Sequence, residues 1–309
     1  MSLPAKIRDR AEELLAENPQ LDYRVVEAPI NTDFGTVDGH KALFGVKGGK
    51  VVSEKPFQIC TDRYTTFDNF SLAVLAAGLE EKSCGEMQVV EAGSLAHGMV
   101  HFTLESRDDY DVARGDICKM RFNLLNSHTS QTALLGFSSG HRLVCSNQLP
   151  AVYEKGFSEG FRLKHRSDHE TLMSVADESL TLYSERVEHT LGWARELAGK
   201  RVNPSLVNPF FELVYEKRFR LKEDASEKEE SRYEEKMMKS VSTMINIYED
   251  EARDYGTTQW VAINAATKWL QHHAGRMTSQ RRSLSNLSGR NSDRTREAFL
   301  LAQEMFSAA

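Results

Sequence analysis

The sequence predicts an α+β protein: an antiparallel β-meander preceded by a helix and followed by a mainly helical C-terminal half. Three observations carry this reading. Between residues 87 and 137, short runs partly alternate apolar and polar residues, the period of half-buried antiparallel strands. From residue 167 onward, apolar residues recur at intervals of three and four, with Ser, Thr, Gly and Pro at the expected helix ends. Between these regions, residues 122–165 carry two β-prone runs around a polar, turn-rich loop, then a Cys-Ser-Asn turn and a basic cluster.

Taken in order, residues 3–17 read as a helix. Ser2 can cap it, Pro4 sits in the first turn where its missing N–H is harmless, and Ile7, Ala11, Leu14 and Leu15 share a face. Asn18-Pro19 stops it. Residues 21–59 are turn-rich, with strand candidates at Val25-Val26, Ala42–Val46 and Lys50–Val52, and Gly48-Gly49 reads as a hairpin turn. That glycine pair is no phosphate loop, since no Gly-Lys-Ser/Thr follows. Thr65 or Thr66 is the expected cap of a helix from Phe67 to Ala77 ending at Gly78. Strands are expected at Met87–Glu91, Met99–Glu105, Ile117–Leu125 and Ala133–Phe137, with Asn126–Ser130 as a loop.

Ser167 to Glu170 has capping-box spacing and opens a helix to about Ala198. Asn203-Pro204 and Asn208-Pro209 punctuate the link to a helix at Phe210–Phe219. Ser226 to Glu229 is a second capping box, opening an acidic helix to about Arg253 that Gly256 ends. Thr257 or Thr258 then caps Gln259–His273. Residues 274–292 are rich in Ser, Arg and Gly and read as mobile, before a last helix at Asp293–Phe306. The domains read from this are 1–60, a 61–200 α+β core, and a helical 201–309 region containing the Arg/Ser-rich segment.

The chain has 309 residues, 40% hydrophobic and 27% charged, enough for one large or two ordinary domains. No apolar run reaches the roughly 18 residues a membrane helix needs, and the N-terminus has no secretory h-region, so a cytoplasmic protein is expected. Four widely spaced cysteines (Cys60, Cys84, Cys118, Cys145) fit free thiols in a reducing compartment. The net charge of −6 hides a segregation. Residues 223–235 hold seven acids against Lys228 and Arg232, whereas residues 276–296 hold six arginines against Asp293 alone. Such segregation serves a nucleic-acid contact, self-association between acidic and basic faces, or merely two solvated surfaces.

Catalytic and metal patterns are weak. His97 and His101 sit on or beside a strand, roughly 13 Å apart along it. His165 and His169 lack a third local ligand, and His272-His273 point in different directions on a helix. Cys145 with His128 or His165 could form a nucleophile pair, with Arg142, Lys164 and Arg166 near in sequence, but it equally suits a small buried position. No Gly-x-Ser-x-Gly elbow or His-Glu-x-x-His helix occurs. Nucleic-acid binding has more support. Arg142, Lys155, Arg162, Lys164, His165 and Arg166 interleave with Phe137, Tyr153, Phe157 and Phe161, a mixture that suits phosphate contact and base stacking.

Four separated motifs then add a resemblance: Asn126-Ser127-His128, Arg142-Leu-Val-Cys-Ser-Asn-Gln-Leu149, Lys164-His165-Arg166, and Gly256-Thr-Thr-Gln-Trp-Val-Ala-Ile-Asn-Ala-Ala-Thr-Lys-Trp-Leu-Gln-His272. In this order, over about Phe67 to Phe306, they resemble the phage/plasmid-like family of the domain of unknown function 932. The chain departs at Thr129, where the family usually has Asp, at Gln148 and Arg166, where Thr is common, and at Lys268-Trp269, where Glu-Tyr is common. The resemblance implies a phage, prophage or plasmid setting in a bacterial cell and hands over no reaction. The element order is also that of single-strand annealing proteins that mobile elements encode, an analogy of fold alone.

The expected function is that of a DNA-metabolism protein binding single-stranded nucleic acid, in recombination or strand annealing, as an oligomer of this chain. Arg142, Lys164, His165 and Arg166, with Arg281 and Arg282, are the expected phosphate contacts. Asn126, Ser127, His128 and Asn147 are the expected hydrogen-bonding groups of the loop and turn. No cofactor, metal or catalytic residue is expected. One alternative is an accessory or counter-defence factor binding a host protein; another is an enzyme using the 126–147 loop and Cys145.

Overall fold

The structure is a computed structural model that describes residues 4–52, 54–95, 98–113, 115–129, 132–143, 147–150, 160–163, 169–275, 277–288 and 290–307. It is α+β, with antiparallel sheets in the N-terminal half and helices through most of the C-terminal half. The chain divides into two compact units. One comprises Met1–Asp108, Met120–Ser139 and Tyr153–Arg186; the other comprises Asp109–Lys119, Gly140–Val152 and Val187–Ala309.

In the first unit, helix α1 (Ala5–Glu17) buries Ile7, Ala11 and Leu14, the face its spacing predicts. The small sheet holds β1 (Arg24–Thr32), β2 (Gly35–Lys47), β3 (Lys50–Val51) and β4 (Gln58–Thr61), with β2 pairing with each of the others. Gly48 and Gly49, at φ 55° and 77°, form the turn between β2 and β3, a conformation that suits hairpins and that other residues resist. Strand β2 runs well beyond the expected Ala42–Val46, because its outer half makes a hairpin with β1 and needs no buried side chains: residues 31–40 are all exposed.

Helix α2 (Asn69–Lys82) starts later than expected and runs through Gly78. Its cap is Asp68, whose carboxylate accepts from the Ser71 N–H at 2.8 Å, and not Thr65 or Thr66. Residues Leu72 to Leu79 are all buried, so α2 is a core helix. Glu80 near its end accepts from Arg10 Nε at 2.8 Å and from the Val89 N–H at 2.9 Å, tying α1, α2 and the next strand together.

The large sheet holds β5 (Met87–Leu95), β6 (Met99–Ser106), β7 (Tyr110–Ala113), β8 (Asp116–Ser127), β9 (Leu134–Arg142), β10 (Asn147–Pro150) and β11 (Gly160–Leu163). The order is β10-β9-β8-β6-β5, with β11 also on β9 and β7 on β8. All four expected strands are present, each longer than its apolar run. The expected loop begins two residues late, because Asn126 and Ser127 continue β8 opposite Val100 and Met99.

Helix α3 (His169–Gly199) follows. Asn203 caps α4 (Pro204–Arg218), accepting from the Ser205 N–H, and Pro209 lies inside this helix where the sequence suggested a break. The Ser226/Glu229 capping box opens α5 (Glu227–Tyr255), and Gly256 closes it at φ 81°. Thr258 caps α6 (Gln259–Lys268), which passes into a π turn at Trp269–His273. The segment expected to be mobile contains helix α7 (Ser279–Ser288), whose Leu287 is buried; α8 (Arg290–Ser307) completes the chain. Trp193 packs on Phe299 at 5.0 Å and Phe210 on Phe306 at 5.1 Å between ring centroids, in the core of the second unit.

One packing feature of the first unit is open to test. A Cβ built on Gly136 of β9 would lie 2.2 Å from Cε1 of the buried Phe161 on β11. Replacing Gly136 with Ala should therefore destabilise the protein by about 1–3 kcal/mol, read as a lower midpoint in chemical denaturation. Adding Phe161→Leu should make the second substitution less harmful than it is alone.

Candidate nucleic-acid interface

Asp116 opens β8, Arg142 ends β9, and both are completely buried. Arg142 Nε donates to Asp116 Oδ1 at 2.7 Å and Oδ2 at 2.9 Å, while Nη1 donates to Glu251 of α5. Trp260 Nε1–H of α6 donates to Asp116 Oδ2 at 2.8 Å. The guanidinium lies 5.2 Å from the Tyr255 ring centroid. Burial, then the Asp116 carboxylate, push the Tyr255 phenol up, with Arg142 opposing. Lys268 Nζ, at the end of α6, reaches Glu251 Oε1 at 3.5 Å. Two buried carboxylates are thus matched by one buried guanidinium and one half-exposed ammonium. This corrects the assignment of Arg142 to phosphate contact: its charge is consumed inside the protein, where no backbone phosphate can reach it.

The Asn126-Ser127-His128 motif is corrected in the same way, because all three residues are buried. Asn126 Nδ2 donates to the Phe67 carbonyl at 2.8 Å. Asn69 Nδ2 donates to the Leu21 carbonyl at 2.8 Å, which points Asn69 Oδ1 at His128 Nε2, also at 2.8 Å. With an acceptor facing it, His128 Nε2 carries the proton. Phe57 stacks on the imidazole at 5.6 Å. Ser127 Oγ accepts from the Thr129 N–H at 3.2 Å. These residues lock β8 to α2 and to the segment before β1, all within the first unit. Of the other expected contacts, Lys164, His165, Arg166 and Cys145 lie outside the described residues, and so does the side chain of Asn147, whose backbone begins β10. Among the expected aromatics, Phe161 is buried against Phe122 and Phe137 is half-buried; Tyr153 and Phe157 fall outside the described residues.

The cations that remain available gather elsewhere in the second unit. The π turn buries Trp269, Leu270 and Gln271 and leaves His272 half-buried and His273 exposed. Trp269 packs on Tyr215 and Phe219, which fixes the turn. Helix α7 starts after Thr278, whose hydroxyl accepts from the Arg281 N–H and whose carbonyl accepts from the Arg282 N–H; Arg281 is exposed and Arg282 half-exposed. Burial pushes the His272 imidazole down, and His273, Arg282 and Lys268 push it further. His273 is lowered by burial, then by Lys268 and Arg282. The charges acting on both histidines are therefore all cationic. Close by in the fold, Arg218 Nη2 donates to the Ala274 carbonyl at 3.1 Å, with its guanidinium 5.0 Å from the Phe219 ring centroid.

Of the expected contacts, Arg282 is the one the fold sets beside the two histidines, and Arg281 is exposed one residue before it. Sequence reasoning missed His272 and His273 as members of this group. The adjacent histidines were visible, but the signal that joins them to Arg282 is the π turn, which no short motif announces. Among the described residues, no group of three or more His, Cys, Asp or Glu is placed to hold a metal, and no helix is long and apolar enough to cross a membrane. A family model described as domain of unknown function (DUF932) matches residues 56–298. No curated protein and no solved structure matches the chain.

The buried charge group makes a direct prediction. Arg142→Ala should lower unfolding free energy by about 3–5 kcal/mol, since it strands two buried carboxylates. Arg142→Lys should recover only part of this, because one ammonium cannot span Asp116 and Glu251 in the same fork. Urea denaturation of both variants, followed by tryptophan fluorescence, measures the effect.

Proposed function

We infer that this chain, which belongs to the DUF932 family, binds single-stranded nucleic acid through His272, His273, Arg281 and Arg282. The observation that carries the reading is geometric: the turn at Trp269–His273, fixed by Trp269 on Tyr215 and Phe219, presents His272 and His273 with Arg282 as a neighbouring charge. Like charges held together repel, and an incoming phosphate relieves that repulsion while releasing counterions. The exposed His273 ring and the Arg281 guanidinium offer planar surfaces for unpaired bases, which favours a single strand over a duplex. The net charge of −6 does not oppose this, because charges beyond about 10 Å are largely screened at ordinary salt. A role in DNA metabolism, at strand annealing or recombination, is the setting this chemistry suits.

Fluorescence anisotropy with a labelled single-stranded oligonucleotide tests the reading. Arg281→Glu with Arg282→Glu should weaken binding roughly tenfold or more and reduce the slope of log K against log salt by about 2. Unchanged affinity in the folded double variant would reject this surface.

A pH series gives an independent check. Bound phosphates raise the two lowered imidazole pKa values, so binding takes up protons and affinity should climb as pH falls from about 7.5 to about 5.5. Asn at both His272 and His273 should flatten that climb. The free protein should show the opposite trend. Both imidazoles resist protonation when folded, so stability is full above the unfolded value of about 6.5 and declines as pH drops below it.

A second reading, an accessory factor that binds a host protein, draws support from the small sheet. Phe34 is fully exposed at the β1–β2 turn, and Val26, Val37, Val51 and Ile59 are exposed on the same sheet. Stoichiometric capture of one host protein, abolished by Phe34→Asp and free of nucleic acid, would favour it.

A further inference from the structure

We propose that Lys217, Arg218 and Arg294 form a binding site for a phosphate dianion where the end of α4 meets the first turns of α8. The three cations line a notch in the second unit, together with the buried Val214, Leu270 and Ala298. Both guanidiniums are held in place by the protein yet keep their charge. Arg218 Nη2 donates to the Ala274 carbonyl, and Arg294 Nη2 donates to the Arg218 carbonyl at 3.5 Å. A carbonyl accepts a hydrogen bond and neutralises no charge. Arg218 Nε is buried and has no acceptor, an unmet donor on a charged group. Among the described residues, none of the three cations has a carboxylate within ion-pair distance.

Two negative contributions stand against the three positive charges. Glu297 also lines the notch and acts on Arg294 from beyond ion-pair distance. The C-terminus of α4 supplies about half an elementary charge. More than one positive charge is left over, which a dianion matches better than a single carboxylate. Guanidinium edges suit the oxygens of a phosphoryl group, and the exposed Lys217 supplies a further point charge. The enclosed part of the notch is about 10 Å³, room for one water-sized group. One phosphate oxygen fits there while the other three stay at the rim; a base or a sugar does not fit. A phosphate monoester at a strand end and free phosphate present the same dianion near neutral pH, whereas a phosphodiester inside a strand carries a single charge. The strand-end source rests on the strand-binding reading; the site itself does not.

Equilibrium dialysis of the full chain against radiolabelled inorganic phosphate, at fixed chloride concentration, tests the proposal. Wild type should take up one equivalent saturably. Lys217→Gln with Arg294→Gln should weaken uptake roughly tenfold or more, with helix content by circular dichroism unchanged. Lys217→Gln alone, at an exposed position, should weaken it in part. No saturable uptake by wild type would overturn the proposal, as would undiminished uptake by the folded double variant. Competing oligonucleotides separate the sources. Displacement by an end-phosphorylated strand but not by its hydroxyl-ended twin assigns the site to strand ends. Displacement by neither assigns it to free phosphate or a mononucleotide, and equal displacement by both would overturn the preference for a dianion. Arg281→Glu with Arg282→Glu should keep phosphate uptake, so a loss of oligonucleotide binding in that variant bears on the turn after α6 and not on the notch.

Discussion

Arg142 cannot be buried alone. A guanidinium withdrawn from water is tolerable only where opposite charge and acceptors replace the solvent, and Asp116 and Glu251 do that from two different elements. The arrangement fixes more than a charge balance. Asp116 accepts twice from Arg142 and once from Trp260, so β8, β9 and α6 are held at one point by hydrogen bonds with demanding geometry. Hydrophobic packing could bring these elements together in several registers. A buried ion group of this kind accepts few, because each misplacement leaves a charge without its partner.

Glu251 links this interior to the surface. One of its oxygens faces Arg142 and the other faces Lys268, the last residue of α6. The π turn follows directly, and burial of Trp269 and Leu270 forces His272 and His273 into a fixed position beside Arg282. The cationic surface is thus built on a rigid base rather than on free side chains. Rigid placement matters because repulsion among cations would otherwise disperse them. Here packing holds them together, and burial first, then the neighbouring cations, lowers both imidazole pKa values.

Much of the fold was legible. The capping box at Ser226, the Thr258 cap, the Gly48-Gly49 turn and the amphipathic face of α1 each follow from local chemistry, and each is present. Where local chemistry misled, tertiary contacts won. Asn126-Ser127-His128 has the composition of a polar loop, yet the three side chains satisfy buried carbonyl and amide groups of distant segments. Arg142 has the composition of a phosphate ligand, yet its partners lie 26 and 109 residues away in sequence. Neither partner leaves a mark near the arginine, so no reading of the neighbourhood could have found it. The Arg/Ser-rich segment misled for a related reason: a short helix needs only one buried anchor when its neighbours are already folded, and Leu287 provides it.

The same reasoning explains why motif strength and surface charge separate in this chain. The residues that carry the resemblance, Asn126, His128, Arg142 and Trp260, are those whose hydrogen bonds close the two cores. Their chemistry is demanding because burial leaves no solvent to repair a lost partner. Surface cations obey a looser rule. Arginine or lysine at several nearby positions gives much the same field, so Arg281 and Arg282 need no fixed spacing and form no signature. A strong motif around a buried charge therefore locates the scaffold, and the surface proposed for binding is sought where that scaffold gathers cations, at the turn after α6.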